Sequence, residues 1–370
     1  MSLHELLEGR RVVVCAGSGG VGKTTLATAL ALTAASRGAR VALVTIDPAR
    51  RLAGALGLSG GAGAEHRVPV DGPGELWAMT LDPKATWDAL VRRHAPDSRA
   101  AEAVLANRIY HELSTAVAGS QEYMAAEKLW ELHDSGAWDL VVLDTPPARD
   151  ALDFLDAPRR LAGFVDSTAV GLLLAPSRMG FRLMGRGGGM VLGVLERVTG
   201  AELLRDLADF LAAFGALARG FRDRAERVEA LLAGDEAAFV VVASPRHDAL
   251  EEALAFRGRL RRSGLPFGAA VVNGVHPEPA PGLDATSVEA ELRGAVGPAA
   301  AAAVAACLRD QRALAERDRR AVAGLAAELE GELLVVVPAL PDGVDDLAAL
   351  AWVGAHVLGA PERAGATPGA

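Results

Sequence analysis

The residues with the clearest chemical potential are eight consecutive residues near the N-terminus. They fit the pattern GxxxxGK[ST] in full and read Gly17-Ser18-Gly19-Gly20-Val21-Gly22-Lys23-Thr24. Glycines let successive backbone N–H groups turn toward an anion, and a helix that begins here adds about half a unit of positive charge. Lys23 is placed to reach the β- and γ-phosphates of a nucleotide, and the Thr24 hydroxyl to bind Mg²⁺. The alternative, a merely flexible loop, does not explain the strand-like VVVCA before it and the helix-like TTLATALALTAAS after it.

Two aspartates that follow strand-like runs are candidates for the remaining chemistry. Asp47 follows the run VALVTI, where a carboxylate can orient or deprotonate a water in line with the γ-phosphate. Asp144 ends the run DLVVLD and is a candidate second anchor for Mg²⁺. The alternatives are a turn at Asp47-Pro48 and a helix cap or turn at Asp144. The residues alone leave both alternatives open.

Lysine is scarce in this chain, which draws attention to the loop lysine. Of the 38 basic residues only Lys23, Lys84 and Lys128 are lysines, and the rest are arginines. A lysine retained against this bias suggests a specific chemical role. Lys23 is the one that lies in the predicted phosphate loop.

The elements that must position these residues alternate along the chain. Several runs are apolar without alternation, as in strands covered on both faces, and the predicted strands are Arg11–Ala16, Arg40–Ile46, Leu76–Leu81, Asp139–Asp144, Ala238–Ala243, Gly268–Asn273 and Leu333–Pro338. Helical stretches between them include Thr24–Ser36, Ala249–Ser263 and Ala299–Leu329. Such alternation predicts an α/β fold with a doubly wound, mostly parallel sheet that binds its ligand at the carboxyl ends of the strands.

The long stretch between the fourth and fifth predicted strands carries no strand signal. We therefore predict a discontinuous nucleotide-binding domain formed by residues 1–158 and 235–358. Residues 159–234 are predicted to form an inserted helical subdomain, and residues 359–370 a flexible tail.

Composition narrows the class of protein further. With 51% hydrophobic residues the chain can bury a full core, and a net charge of −9 argues against a general nucleic-acid binder. The two cysteines, Cys15 and Cys307, cannot form a disulfide framework. No signal peptide and no uninterrupted apolar span are apparent. We expect a cytoplasmic protein without stable membrane insertion and without a nucleic-acid partner.

Three segments resemble the ArsA-type P-loop ATPases, the family of arsenite-pump and tail-anchored-protein-targeting ATPases within the deviant-loop class. GSGGVGKTT resembles the family's KGGVGKT loop, TIDPARRLAGALG its switch I and LDTPPARDALDFL its switch II. Two weaker similarities follow, VVNGVHP with Asn273 and VVVPALPDGVDDLAAL with Pro338. The similarity extends in order from about Arg11 to Leu350.

The resemblance implies a dimer that binds ATP and Mg²⁺ between its subunits and uses hydrolysis to switch a helical effector surface. Lys23, Thr24 and Thr25 would hold the phosphates, while Thr24, Asp47 and Asp144 would serve the metal. Asp47 would also act on the attacking water. Asn273 would contact adenine, and Pro338 would lie in the loop around the base.

The chain departs from the family at several positions. Ser18 replaces the lysine that, in the family, reaches the partner's phosphates, so the basic group would come from a paralogous partner or from Arg50 or Arg149. Both arginines have a solvated surface role as the alternative. Pro245 stands where many members have a nucleotide-contacting glutamate. The chain has neither a thiolate cluster nor a CxxC pair, which argues against arsenite transport and against a zinc clasp.

The residues support two main functional hypotheses. The first is an ATPase whose hydrolysis cycle switches a homodimer or a heterodimer. The alternative is a nucleotide-clamped chaperone or targeting factor for hydrophobic segments, suggested by Ser18 and by the apolar, Gly-bearing segment Met179–Leu192. Internal packing of the inserted subdomain is the simpler explanation of that segment. A partition-type ATPase is a weaker third hypothesis, because the net charge disfavours DNA.

Overall fold

A single mixed sheet with helices on both faces forms the described part of the protein. The structure is a computed structural model that describes residues 3–46, 63, 65–95, 97–108, 110–111, 120–146, 223–224, 226–340, 343–344 and 346–358. Within these residues the strands are β1 Val12–Gly17, β2 Arg40–Thr45, β3 Glu65–Val68, β4 Glu75–Thr80, β5 Leu140–Asp144, β6 Ala237–Ala243, β7 Phe267–Val275 and β8 Leu333–Pro338.

The strand order is β3-β4-β2-β5-β1-β6-β7-β8, and only the β3–β4 pair is antiparallel among the described strands. Strand β1 therefore lies in the interior of the sheet, between β5 and β6. All seven predicted strands are confirmed to within two residues. The mostly parallel, doubly wound α/β fold is confirmed with them.

Strand β3 was not predicted. Its sequence, EHRV, is short and polar, and only Val68 is buried. Among the described strands it pairs with β4 alone, at the edge of the sheet. Charged side chains suit an edge strand because they discourage pairing with another chain, and the same charges hide the apolar pattern by which strands are predicted.

The helices connect the parallel strands and pack on both faces. They are α1 Leu3–Leu7, α2 Lys23–Ser36, α3 Pro83–His94, α4 Ser98–Leu105, α5 Ser120–Asp134, α6 His247–Arg262, α7 Ala285–Val296, α8 Pro298–Glu328 and α9 Leu347–Leu358. Asp82, Asp97 and Asp284 each precede a helix and accept a hydrogen bond from an N–H of its first turn. These N-caps fix where α3, α4 and α7 begin.

Two hydrophobic cores lie on opposite faces of the sheet. Successive side chains of β1 alternate between them, so that Val12 and Val14 face one core and Val13 and Cys15 the other. The first core is completed by α3–α6 and α8, and the second mainly by α2 and α9. This double cover explains why the central strands are continuous apolar runs.

The predicted inserted subdomain lies largely outside the described residues. At its C-terminal end, residues 226–233 are helical, and Val228, Leu231 and Leu232 are buried in the core that contains Val12 and Val14. The core of the sheet domain thus includes residues upstream of the predicted boundary at residue 235. No helix in the described ranges is both long enough and apolar enough to span a membrane.

Candidate functional site

The predicted phosphate loop follows β1 at the carboxyl edge of the sheet. Its first residue, Gly17, lies beside Val242 of β6, and a Cβ built on Gly17 would collide with the carbonyl oxygen of Val242. Only glycine fits at position 17, because the backbone there lies so close to β6. The loop is therefore anchored against the neighbouring strand at its first residue.

The loop ends where α2 begins. Gly22 is the N-cap residue of α2 and has a φ of 93°, in the left-handed region that favours glycine. Gly22 has no side chain with which to cap this helix, so the positive end of the helix dipole adjoins the loop without an N-cap hydrogen bond. This is the local arrangement that suits an anionic ligand.

Lys23 is held at the loop. Its side chain is only 8% exposed, and Nζ donates a hydrogen bond of 2.8 Å to the backbone oxygen of Ser18. The ammonium group therefore lies at the glycine-rich turn that it follows in sequence, which is where a phosphate charge would be neutralised. Thr25 lies beside it in the first turn of α2.

A cluster of three oxygen-bearing side chains lies next to this lysine. The hydroxyl of Thr24 donates a hydrogen bond of 2.6 Å to Oδ2 of Asp144, and the hydroxyl of Thr45 donates one of 3.0 Å to the same oxygen. Asp144 and Thr45 are buried, at 1% and 2% exposure. They end β5 and β2, which are adjacent parallel strands. The sheet thus brings together residues that are about 100 positions apart in sequence.

The donor set fits Mg²⁺. Hydroxyl and carboxylate oxygens are the ligands that this hard cation prefers, and it commonly uses one or two carboxylates together with substrate phosphates. The described residues contain no group of three or more His, Cys, Asp or Glu side chains that could hold a metal by themselves. A site completed by phosphate oxygens does not require such a group.

Cys15 lies on β1 directly beside Asp144 of β5. It is fully buried, and this burial, with the Asp144 charge as a second cause, holds the pKa of its thiol far above the usual range. The thiol is therefore neutral and belongs to the core. The other cysteine, Cys307, is exposed on α8.

Asn273 is brought to the phosphate loop from the other side of β1. It lies near the end of β7, and its Nδ2 donates a hydrogen bond of 2.9 Å to the backbone oxygen of Val21. A Cβ built on Gly22 would collide with the same Nδ2 atom. The register between β7 and β8 shifts after Asn273, at Gly274, so that Val275 pairs with Pro338. Pro338 thus ends β8, two strands beyond β6.

Other predicted site residues lie outside the described residues. These are Asp47, the two arginines Arg50 and Arg149, and the apolar segment Met179–Leu192. Their predicted roles remain predictions. Pro245 is described and is buried in a groove of about 670 Å³ between α6 and α8, where it can offer no charged contact.

Thr45 is the site residue that the sequence reasoning missed. The signal was present, since Thr45 opens the TIDPARRL segment and precedes Asp47 by two residues. Its hydrogen bond to Asp144 depends on the adjacency of β2 and β5, which strand prediction does not supply.

Comparisons with a family model and with individual proteins point to the same family. A family model described as anion-transporting ATPase (ArsA_ATPase) matches residues 10–290. An ATPase GET3 from Malassezia globosa is 31% identical over 48% of this chain and 51% of its own length. The Protein Rv2184c of Mycobacterium tuberculosis is 34% identical over 42% of this chain and 39% of its own. A third relative, the ATPase GET3 of Mycosarcoma maydis, is 30% identical over 47% of this chain and 50% of its own length. The chain therefore spans about half the length of the relatives it matches, or less.

Proposed function

The chain belongs to the ArsA-type family of anion-transporting ATPases, and on this basis we propose that it binds ATP with Mg²⁺ and hydrolyses it to ADP and phosphate. The observation that carries the proposal is the convergence of Lys23, Thr24 and Asp144 at the start of α2. A cation, a hydroxyl and a carboxylate in this order are the parts that phosphoryl transfer needs.

Each part has a defined task in the proposed reaction. The backbone N–H groups of the loop and the Lys23 ammonium would stabilise negative charge on the β- and γ-phosphates. Thr24 would be a ligand of Mg²⁺, and Asp144 would support it, with Thr45 orienting the carboxylate. The cation would supply charge neutralisation between the phosphates. Asp47 remains our candidate for orienting the attacking water.

Asn273 is our candidate contact to adenine. One N–H of its Nδ2 is engaged by the Val21 oxygen, so its second N–H and its amide oxygen remain for a ligand. The amide oxygen can accept a hydrogen bond from the exocyclic amino group of adenine. We place Pro338 in the loop around the base by resemblance alone.

At the level of assembly, we propose a nucleotide-switched dimer, either a homodimer or a heterodimer with a paralogous ATPase. Family membership supports a dimer. Ser18 stands where the family has the lysine that reaches the partner's phosphates, so another group would have to supply that positive charge. We further propose that the effector surface binds a hydrophobic protein client. A nucleotide-clamped targeting factor with little hydrolysis of its own is the second candidate, favoured by the same serine.

The test is ATP turnover of a Lys23→Ala variant. Loss of the buried ammonium should lower phosphate release by at least about 10²-fold, since one preorganised group that stabilises developing charge is worth that much. The matched control is Lys128→Ala, because Lys128 lies outside the loop and pairs with Glu131 and with Glu65 of β3, the first strand in the sheet order. Lys128→Ala should retain wild-type turnover.

Two results would contradict the proposal in different ways. If Lys23→Ala turns over ATP like the wild type, the loop does not carry the reaction. If the wild type binds ATP by calorimetry yet releases no phosphate above background, the nucleotide-clamped alternative replaces the ATPase.

A further inference from the structure

The long helix α8 carries a fully buried carboxylate that the proposed reaction does not use. Asp318 is 0% exposed, although most residues of this 31-residue helix are half-buried or exposed. Burying a charge is costly unless it is paired and hydrogen-bonded. The partners of Asp318 therefore indicate what the carboxylate holds in place.

One of those partners, His276, lies on the segment that follows β7. Oδ2 of Asp318 accepts a hydrogen bond of 3.0 Å from the backbone N–H of His276, and Nδ1 of the same histidine lies 2.7 Å from it. Because a carboxylate only accepts, Nδ1 carries the proton. Oδ1 accepts two hydrogen bonds from Arg317, at 3.0 and 2.8 Å. Both carboxylate oxygens are thus engaged, one by the histidine and one by the arginine.

The ionisation of Asp318 agrees with this geometry. Burial by itself would raise the pKa of the carboxyl, but the hydrogen bonds from His276 and Arg317 outweigh it and hold the pKa below the usual range. A negative charge therefore faces His276 near neutral pH. This makes the link between α8 and the strand end a charge-assisted one.

The segment that Asp318 holds through His276 begins at Asn273, the residue that contacts the phosphate loop. His276 is three residues after Asn273, and the register shift at Gly274, with a φ of 76°, separates them. A shift of this kind bends the strand and re-aims neighbouring side chains, and it persists only where the surroundings fix it. On one side of Gly274 the chain is fixed by the bond from Asn273 to Val21, and on the other by the bonds from His276 to Asp318.

We propose that Asp318 is a positioning residue for the nucleotide site, acting through His276 and the Gly274 bulge to hold Asn273 against the phosphate loop. This inference rests on the proposed function, in which Asn273 contacts the base. Asp318 lies beyond residues 10–290, to which the family model is matched, so the assignment comes from this chain's own contacts.

The experiment measures ATP binding and turnover in four variants. Asp318→Ala should raise the Kd for ATP–Mg²⁺ about tenfold, the range seen when an outer-shell partner is removed, and should leave kcat at saturating ATP within about twofold of the wild type. Asp318→Asn keeps an acceptor for the His276 N–H and should raise Kd less. Because Asp318 acts through Asn273, the double variant Asp318→Ala/Asn273→Ala should bind no more weakly than Asn273→Ala alone.

The matched control is Arg319→Ala. Arg319 also links α8 to the segment after β7, through an exposed ion pair of 3.1 Å with Glu278. It should leave Kd unchanged. An unchanged Kd in Asp318→Ala, or fully additive losses in the double variant, would overturn the proposal.

A readout without nucleotide separates this inference from the proposed function. In Asp318→Ala, backbone hydrogen exchange should accelerate in peptides covering residues 20–26 and 271–277, while β1 and β5 keep wild-type protection. If the wild type fails to bind ATP, the proposed function is lost, and this exchange pattern still tests the coupling. Acceleration confined to residues 271–277 would overturn the coupling itself.

Discussion

A single carboxylate oxygen organises the candidate metal site. Oδ2 of Asp144 accepts hydrogen bonds from the hydroxyls of Thr24 and Thr45, which come from α2 and β2. A serine or threonine next to the loop lysine is part of the loop pattern itself. Thr45 lies outside that pattern and orients Asp144 through its own hydrogen bond. Its contribution should appear in the affinity for Mg²⁺ rather than in the affinity for the nucleotide base.

We predict that Thr45→Val raises the Mg²⁺ concentration for half-maximal turnover about tenfold, because an outer-shell hydrogen bond is lost while the β-branched shape is kept. The measurement is a Mg²⁺ titration at fixed ATP. Thr80→Val is the control, since Thr80 pairs with Thr45 at the end of β4. Equal Mg²⁺ dependence in the two variants would exclude this role of Thr45.

The predictability of these residues depends on whether a sequence motif marks them. Lys23 and Thr24 lie in a contiguous pattern and Asn273 in a motif of the family, so all three could be proposed as site residues from the sequence, and their roles remain predictions. Thr45 and Asp318 were not proposed, because no motif gave them a role and their contacts to Asp144 and His276 depend on strand order and helix placement. Sequence patterns carry no information on such contacts.

At the scale of elements, helix α2, which carries Lys23 and Thr24, is held in position by its contact with α9. Helix α9 crosses α2 closely at Gly354, where a Cβ would collide with the Thr33 hydroxyl and the carbonyl oxygen of Ala29. Arg37, just after α2, donates a hydrogen bond of 3.1 Å to the backbone oxygen of Leu358. The position of α2, and hence of Lys23 and Thr24, depends on this crossing.

Two helical glycines should therefore respond in opposite directions to alanine. Gly354→Ala should lower the free energy of unfolding by about 1–3 kcal/mol, because overpacking forces the helices apart. Gly324→Ala, in α8 with open space around its Cβ position, should raise it by about 0.5–1 kcal/mol through helix propensity. Chemical denaturation of both variants measures the difference. A stabilising Gly354→Ala would show that α2 and α9 separate without cost.

At the scale of the whole molecule, the remaining question is assembly. We predict that, with ATP–Mg²⁺ bound, light scattering gives twice the 38.2 kDa mass of one chain. Ser18→Lys should raise turnover by at least about tenfold, since a basic group acting in trans contributes orders of magnitude in related reactions. Ser18→Gln is similar in length and carries no charge. If it accelerates turnover equally, the missing lysine charge is not what limits the wild type.

Acid should destabilise the molecule through two carboxyls, Asp88 and Asp318, whose pKa values are lowered. Burial opposes the ionisation of Asp88, but hydrogen bonds from Tyr110 and Lys84 lower its pKa, and the pKa of Asp318 is lowered as well. A pKa that is lower in the folded state stabilises the fold fully above the unfolded value of about 4, and the contribution is lost as pH falls below it. The loss of stability between pH 6 and 3 should therefore be shallower in Asp318→Asn than in the wild type. Thermal melts measure it, with Asp310→Asn, at an exposed position of the same helix, as the control.

The place of β1 in the sheet has a further consequence. Among the described strands, those on one side of β1 precede residue 146 and those on the other side follow residue 236. Lys23, Thr24 and Asp144 belong to the first stretch and Asn273 to the second, and the two stretches meet along the β1–β6 ladder. A nucleotide that contacts all four residues would stabilise the association of these two stretches of the polypeptide. Cut between residues 147 and 222, the chain would yield two fragments, each with an incomplete site, and their reassociation would be linked to the concentration of ligand.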